Sequence, residues 1–211
     1  QAIIGVIRSV PIEKEILIVD DGSSDGTREL LRKHFQNQRD LRVIFHEKNS
    51  GKGRAIRTGI EAAAGDAIII QDADLDYDPM DYRLLMRALE PDGIEVVYGS
   101  RFLNKKKVTA LWHRSVNYLL TFLTNILFGA NLTDMETCYK LFKAPVLKSM
   151  ALESEGFEIE VELTAKTLKN KKKIVEVPIS YKGRSFHEGK KIGWKDGVKA
   201  VVALFYYRFA P

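Results

Sequence analysis

At 211 residues, with 45% hydrophobic and 29% charged side chains, the chain reads as a globular protein of one large domain, or one domain with an appendage, able to bury a real core. A single cysteine, Cys138, excludes an internal disulfide; the four histidines form no Cys/His metal pattern with it; and no apolar run reaches membrane-spanning length. The net charge of +5 conceals two unlike halves, since residues 1–100 carry 13 Lys and Arg against 18 Asp and Glu while residues 101–211 carry 20 against 10. A basic half of this kind suits an anionic partner: nucleic acid, an anionic membrane surface or a phosphorylated acceptor.

In chain order, QAIIGVIRS (1–9) reads as the tail of a helix, and KEILIVD (14–20) as a buried strand. The strand ends in DDGSSDGT (20–27), where Gly22 and Gly26 permit a tight turn and Asp25 caps a helix holding Leu30, Leu31 and Phe35. LRVIFHE (41–47) is the next strand, followed by a helix with Ala55, Ile56, Gly59, Ile60 and Ala63 inward. The Gly-Lys-Gly at 51–53 lacks the Ser/Thr of a P-loop and the third glycine of a dinucleotide fingerprint. What remains is a helix N-terminus that, with Lys52 and Arg54, can contact an anion.

GDAIIIQDADLDYDP (65–79) is the most informative stretch: a short apolar strand that breaks into Asp72, Asp74, Asp76 and Asp78. Alternation puts Asp72, Asp74 and Asp76 on one side, and carboxylates so crowded repel one another unless a cation shares them. The competing reading is a solvated loop with Asp78 as N-cap and Pro79 opening a helix, which suffices for Asp78 itself. A calcium EF-hand is excluded, because Tyr77 stands where its loop needs Gly and Arg83 where it needs Glu. An Mg²⁺ or Mn²⁺ site completed by substrate phosphates fits a strand's carboxyl end.

A helix with Tyr82, Leu85, Met86 and Leu89 inward leads to IEVVYGSR (94–101), the fourth strand-and-helix unit in series, so a mostly parallel, doubly wound α/β sheet with helices on both faces is expected. Lys105, Lys106 and Lys107 then precede a helix whose stripe of Trp112, Val116, Leu119, Leu120, Leu123 and Leu127 suits either a core or a membrane surface. TDMETCYKLFKAP (133–145) places Asp134 and Glu136 beside a short strand, with Pro145 opening a helix. FEIEVEL (157–163) alternates like a strand but continues into LTAKTLKN at helical spacing, so a helix is expected. The strand KKIVEVPISY ends in a basic loop with Lys182, Arg184, Lys190, Lys191 and Lys195, and the last helix spaces Trp194, Val198, Val201, Val202, Phe205 and Phe209 along one face before an aromatic, basic end.

Four motifs in one order, IVDDGSSDGT, GKGRAIRTG, QDADLDYDP, and TDMETCYKLF with GRSFHEGKKIGWKDG, resemble glycosyltransferase family 2, and within it the polyprenyl-phosphate glycosyltransferases typified by dolichyl-phosphate mannose synthase. The resemblance implies one domain over 1–211 of GT-A type, with a nucleotide-binding half at 1–103 and a basic, acceptor-side half at 104–211. It further implies a nucleotide-sugar donor (GDP- or UDP-sugar), Mg²⁺ or Mn²⁺, inversion at the anomeric carbon, a polyprenyl-phosphate acceptor and a peripheral position at the cytoplasmic membrane face. No nucleic acid is expected, because the basic clusters lack aromatic interleaving and the acidic strand ends would repel phosphates without metal.

Carried over by residue, the resemblance makes Asp21, with Asp20, a contact to base or ribose. Asp72 and Asp74 become a D-x-D pair, with Asp74 on the metal and Asp72 near ribose or metal, and Asp76 falls where some relatives have a further ligand. Arg101, Arg184, Lys190 and Lys191 lie where positive charge gathers near donor and acceptor phosphates. Family members normally begin with a strand ending in Pro-x-Tyr-Asn-Glu, a wall of the nucleotide site that these residues do not contain, so a longer parent chain or a weakened site is expected. A hydroxyl acceptor would need a general base, for which Asp134 is the candidate. A lipid phosphate would need little help, its second pKa being about 6. The readings to be separated are transfer to polyprenyl phosphate, transfer to a glycan hydroxyl, and a non-catalytic nucleotide-binding module.

Overall fold

The computed structural model describes residues 2–35, 38–103, 111–183 and 194–210. Helix α1 (Ala2–Ser9) leads to β1 (Ile16–Asp20), α2 (Thr27–Phe35), β2 (Leu41–Phe45), α3 (Lys52–Ala62) and β3 (Ala67–Ile69), the alternation the sequence calls for. A 3₁₀ turn (Pro79–Asp81) continues into α4 (Tyr82–Leu89), then β4 (Val96–Ser100), α5 (Leu111–Phe128), β5 (Lys140–Lys143), α6 (Ala144–Lys148), α7 (Ile159–Lys169), β6 (Ile174–Pro178) and α8 (Trp194–Phe209). Asp78 accepts a hydrogen bond from Met80 N at 3.0 Å, and Pro79 follows it, so this carboxylate is an N-cap as expected.

The strands form two hydrogen-bonded sheets. β1 and β2 pair in parallel, and the four-stranded sheet runs β3-β5-β4-β6. β4 and β6 are parallel, but β5 is antiparallel to both its neighbours, with Leu141 opposite Ile69 on one side and Val97 on the other. This inserted strand fixes the site: the segment entering β5 must lie between the carboxyl ends of β3 and β4, where an open α/β sheet presents its ligands.

The main core lies on the four-stranded sheet, where Leu85, Val96, Val97, Tyr98, Phe142, Leu147, Ile159 and Leu163 are fully buried. FEIEVEL is helical in α7, whose buried residues include Glu160 and Glu162 as well as Ile159, Val161 and Leu163. A second core joins α5, α7 and α8 through Leu120, Val161, Ala165, Ala200, Leu204 and Tyr207. The stripe read from α8 is corrected here: Val198, Val202, Phe205 and Phe209 face outward, and the helix packs instead through Ala200, Leu204 and Tyr207, with Val201 half-buried. Similarly, Leu119 of α5 is exposed while Val116, Leu120, Leu123 and Leu127 pack inward. The side chains of Trp112 and Trp194 lie outside the described set.

Candidate active site

The two aspartates that end β1 are used within the chain. Buried Asp20 pairs with Arg28 Nε at 2.8 Å. Asp21 accepts from Ser50 N (2.9 Å) and Gly51 N (2.7 Å) and lies 2.7 Å from His46 Nδ1, whose Nε2 is 2.9 Å from Thr58 Oγ1. Burial works to raise the Asp21 carboxyl, but the hydrogen bonds from His46, Ser50 and Gly51 hold it below its usual range. In this arrangement Asp21 orders the loop ahead of α3.

The N-terminus of α3 is corrected as an anion site. Gly53 N and Arg54 N both donate to the Glu155 carbonyl, at 2.7 and 3.2 Å, so these end amides are already capped by backbone. Glycine is required for that approach: a Cβ at Gly53 would stand 2.3 Å from Ser154 O, and one at Gly51, whose φ is +96°, 2.3 Å from Glu155 O. The capping loop is itself held by Glu162, which accepts from Glu153 N and Ser154 N at 2.8 Å each.

Lys52 turns away from that helix end to an ion pair with Asp72 (2.9 Å) and another with Glu160 (3.0 Å). Glu160 in turn pairs with Lys140, whose side chain is wholly buried. The line Asp72, Lys52, Glu160, Lys140 alternates in sign and joins β3, α3, α7 and β5, so each desolvated charge has an opposite neighbour. Lys52 is thus a brace for the first aspartate of the D-x-D pair.

Beyond Asp72 the chain makes a tight turn in which Asp74 Oδ1 accepts from Asp76 N at 3.1 Å. Gln71 Oε1 beneath it accepts from Tyr82 (2.7 Å) and Tyr139 (2.6 Å), while Gln71 Nε2 donates to Asp72 O (2.7 Å). The Tyr77 ring packs against those of Tyr139 and Tyr181, with centroids 4.6 and 5.2 Å away, and Lys182 N donates to Asp76 O at 2.8 Å. Among the described residues no three His, Cys, Asp or Glu side chains gather as a cage, so Asp72, Asp74 and Asp76 do not form a preassembled trio. The donor set still fits a hard divalent cation of the kind held by one or two carboxylates plus substrate phosphates: two aspartates share this turn, and the charge of the third is balanced by Lys52.

Across β5, at the end of β4, Arg101 grips Asp134 in a two-pronged pair, Nε to Oδ2 and Nη2 to Oδ1 at 2.7 Å each, and the Arg101 backbone N donates to Oδ2 at 3.0 Å. Asn117 of α5 donates to Oδ1 at 2.8 Å, and Glu176 of β6 accepts from Thr133 N and Asp134 N. This corrects Asp134 as a general base: it is wholly buried with both oxygens engaged, and it positions Arg101. The guanidinium also lies over the Tyr181 ring, 5.2 Å from the centroid. Cys138 is buried, and burial pushes its thiol well above the usual range, which suits packing rather than nucleophilic attack.

Arg184, Lys190 and Lys191, like Lys105, Lys106 and Lys107, lie outside the described residues. The structure places the residues just before that basic loop, Tyr181 and Lys182, against Arg101 and the acidic turn. Sequence reading missed Gln71, Asn117, Lys140, Glu160 and Glu176. A signal was available for two of them, since a lysine inside the apolar strand YKLF and a glutamate on a helix with no polar face both call for buried partners.

The model of the family described as glycosyl transferase family 2 matches residues 3–150. The chain is 30% identical over 200 residues to the undecaprenyl-phosphate mannosyltransferase of Micrococcus luteus, covering 90% of this chain and 81% of that protein. It is 30% identical over 149 residues to the dodecaprenyl-phosphate galacturonate synthase of Rhizobium johnstonii, covering 70% of this chain and 43% of that one. Among solved structures, glucosyl-3-phosphoglycerate synthase from Mycobacterium tuberculosis in complex with Mn²⁺, UDP and phosphoglyceric acid shares the fold, with a TM-score of 0.72 at 21% identity over 100% of this chain and 74% of that chain.

Proposed function

The chain belongs to glycosyltransferase family 2, and from that premise we propose that it transfers a sugar, with inversion at the anomeric carbon, from a UDP- or GDP-sugar to a polyprenyl phosphate. The observation that carries this reading is the pair of charged sites on either flank of β5: the acidic D-x-D turn at the end of β3 and Arg101, clamped by Asp134, at the end of β4. The first suits the diphosphate of a donor, the second the phosphate of an acceptor, and the sugar passes between them.

A divalent cation, Mg²⁺ or Mn²⁺, fits Asp74 with Asp72 or Asp76; when bound it supplies charge stabilisation to the departing nucleoside diphosphate. The chain's own groups do the rest. The ion pairs through Lys52 hold Asp72 in place. Asp134 takes two of the N–H groups of Arg101 and fixes the plane of the guanidinium, whose others can meet a phosphate. Arg184, Lys190 and Lys191 follow Tyr181 in the sequence and are proposed to add to that positive charge. A lipid phosphate, with a second pKa of about 6, is already largely dianionic at neutral pH and attacks without a base, consistent with Asp134 having no oxygen to spare for one.

The acceptor also asks for a surface that meets lipid. No helix among the described residues is long and apolar enough to cross a membrane. Instead α5 exposes Tyr118, Leu119, Phe122 and Ile126, and α8 exposes Val198, Val202, Phe205, Tyr206 and Phe209. The two helices share a core, and their exposed apolar residues suit the interface of the cytoplasmic leaflet. The donor-side half, 1–103, and the basic acceptor-side half, 104–211, are interlocked rather than separate, because Glu160 and Lys140 of the second brace Asp72 of the first.

Incubating the full-length chain with UDP- and GDP-hexoses, Mn²⁺ and undecaprenyl phosphate should release the nucleoside diphosphate and yield a glycosyl-phosphate lipid. A chelator should stop the reaction, and Asp74→Asn should lower it by about 10² or more. Donors left intact under all of these conditions would overturn the proposal.

A further inference from the structure

Glu136 has no part in the network described above. The segment entering β5 carries it past the ends of β3 and β4, within electrostatic reach of two ion pairs, Lys140 with Glu160 and Arg101 with Asp134. Its side chain is partly exposed, yet Oε1 is buried without a hydrogen-bond partner. Neither neighbouring cation satisfies it: Lys140 is committed to Glu160 and the Thr137 carbonyl, Arg101 to Asp134. Burial pushes the carboxyl up to about 7, opposed by Lys140 and reinforced by Glu160. A buried acceptor oxygen left without a donor is costly, and a native site that keeps one has a use for it.

We propose that Glu136 is a specificity-determining residue that accepts a hydrogen bond from a hydroxyl of the transferred sugar. This inference rests on the donor reading above. The partly exposed Glu136 carboxyl stands on the segment that enters β5, and β5 separates the strand ends assigned to the two phosphates; a sugar hydroxyl is the neutral donor that such a carboxyl can hold without a competing cation. A site built around such a bond favours donors that carry the hydroxyl, because only they give the carboxyl the hydrogen bond it lacks in the free protein.

Calorimetry tests this without an acceptor. With Mn²⁺ present, the affinities of the nucleoside diphosphate, of the nucleotide sugar that the wild-type chain binds best, and of its 2-, 3-, 4- and 6-deoxy analogues are compared in wild type, Glu136→Ala and Glu136→Gln. The expected result is that Glu136→Ala leaves nucleoside diphosphate affinity within about twofold but weakens the nucleotide sugar by about 10- to 100-fold, the range of a hydrogen bond to a charged group. One deoxy analogue should be weakened equally in wild type and no further in the variant. Glu136→Gln, whose amide oxygen still accepts, should recover much of the loss. Equal affinities for the intact donor in wild type and Glu136→Ala, loss of nucleoside diphosphate affinity, or an undiminished effect of the variant on every deoxy analogue would each overturn the assignment. A wild-type chain that binds the donor but transfers nothing to polyprenyl phosphate would count against the acceptor reading alone, with the Glu136 comparison still decisive.

Discussion

Arg101 and Asp134 behave as one unit, because removing either leaves the other charged in a nearly dry place. Asp134→Asn should therefore destabilise the fold by about 3 kcal/mol, the lower end for breaking a buried pair. It should also slow transfer while leaving the shape of the pH–rate profile unchanged. A lost acid limb with unaltered stability would mark Asp134 as a base after all. Glu136 makes the opposite prediction about stability. Its folded carboxyl titrates near 7 against an ordinary 4.5, so folding favours the protonated form and stability falls as pH rises through that window. The charges facing it are Lys140, Glu160, Arg101 and Asp134, all in mutual pairs. Glu136→Gln should be more stable than wild type above pH 7, by on the order of 3 kcal/mol from a shift of 2.5 units, with the difference gone by about pH 4.5. Urea denaturation of both proteins at several pH values reads this directly, and a pH-independent difference would contradict it.

At the scale of elements, α7 shows why some of the site was legible in sequence and some was not. FEIEVEL alternates because the helix is buried nearly all round and spends its two glutamates inside, one on the lysines behind the D-x-D turn and one on the loop that caps α3. Period alone cannot reveal which buried partner an acid has, so Glu160 and Lys140 went unread, whereas the strand-end aspartates and Arg101 announced themselves by where an apolar run stops. The position of Asp134 was legible but its role was not, since the Arg101 clamp depends on β5 running antiparallel between β3 and β4. The outward stripe of α8 was legible as apolar, but both faces of that helix are, and only packing tells which one is spare. That spare face gives a prediction at this scale. Phe122→Glu with Val202→Glu, at positions 59% and 63% exposed, should leave stability within about 0.5 kcal/mol, as for surface substitutions. The same pair should reduce sedimentation with anionic vesicles. Undiminished vesicle binding would move the lipid-facing surface elsewhere.

For the whole molecule, the charge division acquires a physical meaning. The acidic first half ends its strands in carboxylates that need a cation or a lysine, and the basic second half, 20 Lys and Arg against 10 Asp and Glu, suits the lipid and acceptor phosphates of the proposed reaction. Binding to anionic vesicles should weaken as salt rises, since exposed charges are screened beyond about 10 Å at 0.1 M. In the proposed reaction the acceptor nucleophile is a phosphate brought to the sugar by Arg101. Initial rates with undecaprenyl phosphate and with the corresponding free alcohol, at saturating donor and Mn²⁺, test it most directly in wild type and Arg101→Lys. Transfer is expected to the phosphate only, reduced by about 10² in Arg101→Lys, which keeps the charge but loses the two-pronged geometry. Equal transfer to the alcohol, or an Arg101→Lys chain as fast as wild type, would contradict it.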